Sequence, residues 1–142
     1  LVCYDGSPGA RRAVDAAGRL FPGRPAIVLY VWPGVAAERV RTTSVAHVRE
    51  ELIEEVRVAA RREAAAVAEE GRGLASHAGL EANPLIVESG NRAADAIARA
   101  ATKESVAAVV VGRPSRTRLG SLLPGSVSRS VVDNCPVPVV VV

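Results

Sequence analysis

The residues best suited to chemistry lie between Val109 and Val127. A β-branched run, Val109-Val110-Val111, stops at Gly112, and Arg113-Pro114-Ser115-Arg116-Thr117-Arg118-Leu119-Gly120 follows, with Gly125-Ser126-Val127 further on at a helix start. A buried strand, a loop rich in Arg and Gly without acids, and a small-residue helix N-terminus together make an anion site. Unpaired backbone N–H groups and the helix dipole converge there. The natural anion for such a loop is the phosphate chain of a nucleotide, with Arg113, Arg116, Arg118 and Arg129 as charge-assisted donors. Taken singly, Gly112 is a strand end, Gly125-Ser126 a helix cap and Asp5-Gly6 a turn, each ordinary. Their joint spacing carries the argument.

Other chemistries find less support. There is no G-x-x-x-x-G-K-[ST] and no G-x-G-x-x-G. His47 and His77 fall on or near a charged helix, and neither a Ser-His-Asp arrangement nor metal-ligand spacing is present. Cys3 and Cys135 sit at opposite ends of the chain, outside any C-x-x-C motif, and read as buried, reduced thiols of a cytoplasmic protein.

The 142 residues suit one domain spanning 1–142. With 49% hydrophobic but only 3% aromatic residues, its core must be built from Val, Ala, Leu and Ile. The net charge of +3 and the scarcity of aromatics argue against a nucleic-acid surface. No segment reaches the roughly 18 uninterrupted apolar residues of a membrane helix. Leu1 already reads as strand, so residues are expected to precede it, and a targeting signal stays open.

The elements that must hold the loop alternate along the chain. Leu1 to Tyr4 ends a strand. Ser7 caps a helix that has Pro8 at its first position and runs to about Leu20. Ala26 to Trp32 is a continuous apolar run of the kind buried on both faces. An amphipathic helix extends from about Thr43 to Ala78, with Gly71-Arg72-Gly73 as a point of fraying or interruption. Then come a strand at Asn83–Glu88, the turn Ser89-Gly90-Asn91, an Ala-rich helix at Arg92–Thr102, a strand at Val106–Val111, a helix from Gly125 to about Asn134, and a strand at Val137–Val142. This βαβαβαβαβ order predicts an α/β fold, a doubly wound five-stranded parallel sheet in three α/β/α layers. If Leu1–Tyr4 and Val106–Val111 are central neighbours, Asp5-Gly6 and Gly112 onward face one crevice at the strands' carboxyl ends.

The pattern Gly112, two residues, Ser115, nine residues, Gly125-Ser126 closely resembles the ATP-binding motif of the universal stress protein family. Val2-Cys3-Tyr4-Asp5-Gly6-Ser7, Leu29-Tyr30-Val31, Glu88-Ser89-Gly90-Asn91 and Asn134-Cys135-Pro136-Val137-Pro138-Val139-Val140-Val141 resemble that family's other strand ends and turns. The resemblance covers the whole chain. It implies a Rossmann-like domain of the adenine nucleotide alpha hydrolase type that binds ATP, or AMP or ADP, with Mg²⁺ on the phosphates when ATP is bound. It also implies a role as a cytoplasmic regulatory stress-response module rather than an enzyme.

Residues matching Cys3, Tyr4, Asp5 and Val31 would line the adenosine part. Val111, Gly112, Arg113, Ser115, Arg116, Gly125, Ser126 and Val127 would follow ribose and phosphates. The departure is Ser115, where ATP-binding members carry glycine; a Cβ there crowds the phosphates and, at positive φ, costs roughly 1 kcal/mol or more. Pro114 also removes a donor N–H. A nucleotide-free dimeric interaction module and a slow ATPase are therefore the alternatives. The resemblance further implies a homodimer through Val137 to Val142, which would cover an apolar edge that otherwise recruits strands.

Overall fold

The computed structural model describes residues 1–33, 46–90, 92–113 and 127–142. The most central strand, β1 (Val2–Cys3), is also the shortest. It leads through a turn into α1 (Pro8–Leu20), where Ser7 is the N-cap: its Oγ accepts from the Ala10 N–H at 3.1 Å, and Pro8 takes the first turn, where a missing N–H costs nothing. Strand β2 (Pro25–Trp32) follows, then α2 (Ala46–His77), β3 (Glu81–Glu88), α3 (Ala93–Lys103), β4 (Val109–Val111), α4 (Val127–Asn134) and β5 (Val139–Val141).

All strand pairs are parallel, in the order β3-β2-β1-β4-β5. The expected neighbours do meet at the centre, with Val2 opposite Val28 on one side and Val110 on the other. Helices α1 and α2 cover one face, where Ala13, Val14 and Ala17 pack with Val2, Tyr4, Val28, Ala75 and Val110. Helices α3 and α4 cover the other, where Ile97, Ala100, Ala101 and Val131 pack with Leu29 and Val109. Each fully buried valine, such as Val14, Val28 or Val109, contributes about 1.5–3 kcal/mol by leaving water. Among the described residues, no helix is long and apolar enough to cross a membrane.

Several details depart from the sequence expectation. Strand β3 begins at Glu81, since its register with β2 already holds at Pro25–Glu81. The ladder of β4 starts only at Val109, because the Val106 N–H donates to the Ala101 carbonyl at 3.1 Å and so closes the turn after α3. The ladder of β5 spans Val139–Val141, shorter than expected, although the Val142 N–H still donates to Val111 O at 3.1 Å.

At Gly71, too, α2 continues without interruption. A Cβ at Gly71 would lie 2.6 Å from Tyr4 Cδ1 and 2.8 Å from Val28 Cγ1. Glycine there admits the Tyr4 ring against the helix, and this packing offsets the weak helix propensity of the residue.

Candidate functional site

The chain winds from β1 outward to β3 on one side and returns to β4 and β5 on the other, so its direction reverses between β1 and β4. Beyond the carboxyl ends of these two strands lies a cleft of about 350 Å³, within the size range of small-ligand pockets. Its floor is apolar, built from Leu29 and Val31 of β2, Ala93 and Ile97 of α3 and Val111 of β4, with the exposed Val127 of α4 at its open side. Its rim is polar, with Asp5, Ser7 and Arg113, and the buried Ser128 also lines it.

Local folding explains how each group arrives there. Strand pairing between β1 and β2 ends at Cys3–Leu29, after which the Tyr4 N–H still donates to Leu29 O at 2.9 Å. Strand β2 runs on to Trp32 against β3. Because amide orientation alternates along a strand, the Val31 N–H and C=O face the same side as the Leu29 carbonyl, past the end of β1. Asp5 then enters the turn, where Oδ1 accepts from the Ser7 N–H at 3.0 Å, and Gly6 takes φ of +77° to complete it.

Gly112 makes a close contact that its place in the sequence did not announce. Its φ is not positive, and a Cβ there would collide with the Gly9 carbonyl of α1; reciprocally, a Cβ at Gly9 would meet the Arg113 carbonyl. The missing side chains let the N-terminus of α1 and the end of β4 touch main chain to main chain. Arg113 is then fixed through its backbone: its N–H donates to Val142 O at 2.6 Å, and its carbonyl accepts from Arg12 Nη2 at 3.4 Å. The Arg113 side chain is exposed.

Of the residues singled out from sequence, the cleft brings together Cys3, Tyr4, Asp5, Val31, Val111, Gly112, Arg113 and Val127. Ser115, Arg116, Gly125 and Ser126 lie outside the described residues. Strand alternation separates Cys3 from Tyr4: Cys3 packs with the α3–α4 face, while the Tyr4 side chain joins the core of the opposite face and its hydroxyl donates to Glu70 Oε1 at 2.7 Å. Tyr4 therefore offers the cleft main chain only.

Burial pushes the Cys3 thiol up to about 12. It pushes the Tyr4 phenol up to about 12 as well, reinforced by the hydrogen bond to Glu70 and its charge. Both groups are thereby held in their neutral forms at ordinary pH. Cys3 and Cys135 are free thiols, each half-buried rather than buried as the sequence suggested.

Sequence reading missed Leu29, Ala93, Ile97, Ser7, Ala10 and Ser128. Ala93 and Ile97 stand four apart on α3, so helical spacing places them on one face and could have marked them. Glu88, at the end of β3, forms a 3.2 Å ion pair with Arg57. Among the described residues, no group of three or more His, Cys, Asp or Glu gathers as a metal cage requires.

Comparison with known proteins agrees with this architecture. A universal stress protein from Bacillus subtilis (strain 168), YxiE, is 28% identical over 144 residues, covering 99% of this chain and 96% of its own. The structure of a universal stress protein from Archaeoglobus fulgidus superposes with a TM-score of 0.66 at 25% identity, covering 99% of this chain and 89% of that one. A universal stress protein from the same organism in complex with dAMP superposes with a TM-score of 0.61 at 24% identity, over 98% of this chain and 92% of that one. The family model named universal stress protein matches residues 1–142, and the chain belongs to the universal stress protein family.

Proposed function

We propose that the cleft binds an adenine nucleotide and that the protein is a regulatory stress-response module rather than an enzyme. The observation that carries this reading is an apolar floor at the point where the winding reverses, bordered by the polar Asp5, Ser7 and Arg113. The Val31 main chain would meet the edge of the base and Asp5 the sugar or base, while Arg113 and the loop after it, including Ser115, Arg116, Gly125 and Ser126, would take the phosphates. The complex of the Archaeoglobus fulgidus relative with dAMP supports the choice of adenine.

ATP is the proposed physiological ligand, with AMP or ADP as alternatives. Mg²⁺ would be held mainly by the phosphates, since Asp5 is the one carboxylate among the described cleft residues. The Mg²⁺ would screen phosphate charge beside Asp5. Regulation would follow from unequal nucleotide affinity of two states. The proposed setting is the cytoplasm, as a homodimer paired through β5.

Calorimetric titration with dAMP, AMP, ADP and ATP, with and without Mg²⁺, tests this, beside Asp5→Ala and Gly125→Ala. Binding that both substitutions weaken measurably supports the nucleotide site. Absence of heat with every nucleotide overturns it, leaving the nucleotide-free dimeric module that Ser115 and Pro114 favour.

A further inference from the structure

We propose that Glu70, on the opposite face of the sheet from the cleft, is a positioning residue for the nucleotide site, acting through Tyr4 on Asp5. This rests on the nucleotide reading above.

The chain of contacts is continuous. One carboxylate oxygen of Glu70, Oε1, accepts from the Tyr4 hydroxyl at 2.7 Å and from Arg11 Nη2 at 2.7 Å. It thereby joins α2 to both β1 and α1. The Tyr4 ring, 2% exposed, reaches that oxygen only because Gly71, the next residue of α2, leaves space for it. At its main chain Tyr4 makes the last contact between β1 and β2, through N–H to Leu29 O. Asp5 follows at once, its carboxylate turned back onto the Ser7 N–H.

The turn that presents Asp5 is thus pinned at three points: the Tyr4 hydroxyl, the Tyr4 amide and the Ser7 amide. The middle and last hold the backbone from within the sheet and the helix. The first is the one anchored to a second helix, α2. A rigid presenter matters because ordering a loop at binding subtracts from affinity. A surface ion pair alone would add little, but here the same oxygen also satisfies a buried tyrosine.

The experiment is a double-mutant cycle between Glu70 and Asp5, read as dAMP affinity by calorimetry. Glu70→Ala is expected to weaken binding about fivefold in the wild-type background and to change little once Asp5 is alanine, the non-additivity of residues acting through one another. Glu70→Gln, whose amide oxygen still accepts from Tyr4, should recover most of the loss. Arg72→Ala, which breaks the neighbouring 2.6 Å pair with Glu69 on the same helix, should leave affinity unchanged. Equal losses in both backgrounds, or no loss from Glu70→Ala, would overturn the proposal.

A second measurement needs no ligand. Hydrogen exchange of the Ser7 amide should speed up in Glu70→Ala and stay slow in Arg72→Ala, and unchanged exchange overturns the positioning role by itself. If the unsubstituted protein fails to bind dAMP, the nucleotide reading falls, while Ser7 exchange still decides whether Glu70 holds the Asp5 turn.

Discussion

The carbonyl of Gly9 occupies the space that a side chain on Gly112 would fill, so the first turn of α1 and the end of β4 meet without intervening atoms. Gly112→Ala must push main chain against main chain, with no flexible side chain to yield. The expected cost is about 1–3 kcal/mol, as for other overpacked positions, read as a lowered Tm in circular dichroism. The same change at Gly73, where a Cβ meets nothing within 4 Å, should leave Tm unchanged or raise it. Equal Tm for the two variants would refute the close-contact account.

Val127 lines the cleft yet is 48% exposed. Val127→Trp should fill the cleft from its open side without disturbing the core. Affinity for dAMP should drop at least about tenfold, a loss of roughly 1.4 kcal/mol, while Tm holds. A tryptophan variant that binds dAMP normally would show that the ligand sits elsewhere.

Burial raises Cys3 from an ordinary 9.0 to about 12, and Tyr4 from 10.0 to about 12. Both are acids whose neutral form the fold prefers, so the unfolded chain gives up their protons first as pH rises. Their stabilising contribution is complete below pH 9, and it declines as pH climbs from there through about 12. Urea midpoints measured between pH 8 and 11 should fall, and Tyr4→Phe should flatten the fall above pH 10. Alkylation of Cys3 by iodoacetamide at pH 8 should likewise be far slower than that of an exposed thiol.

At β5 the Val142 N–H and C=O point to β4, bonding with Val111 and Arg113. Alternation then turns the N–H groups of Val139 and Val141 to the open edge. Val141→Pro removes an outward donor and spares the ladder to β4, a position where an edge strand tolerates proline. If two copies pair through this edge, sedimentation should show dimers for the parent chain and monomers of unchanged Tm for Val141→Pro. A proline variant that still dimerises would move the interface away from β5.

Apolar runs and turn residues announced the sheet and its winding because both arise from local pattern. Ser7-Pro8 and Val109-Val110-Val111 read the same in sequence and in space. What escaped was set by partners distant along the chain. Gly71 looks like a helix breaker until the Tyr4 ring is seen beside it. Glu70 looks like one more charge on a charged helix until Tyr4 and Arg11 converge on it. Gly112 was legible as a strand end beside the site, but the main chain of α1 that approaches it was not.

The placement of β1 also shapes how the protein comes into being. One side of it is closed early, by Val28 and Leu29, but the other waits for Val110, made more than a hundred residues later. Throughout synthesis the nascent chain therefore carries an open edge in what becomes the middle of the sheet, and long-range pairing of this kind closes slowly. The two-residue length of β1 keeps that edge brief and offers stray strands little to grip.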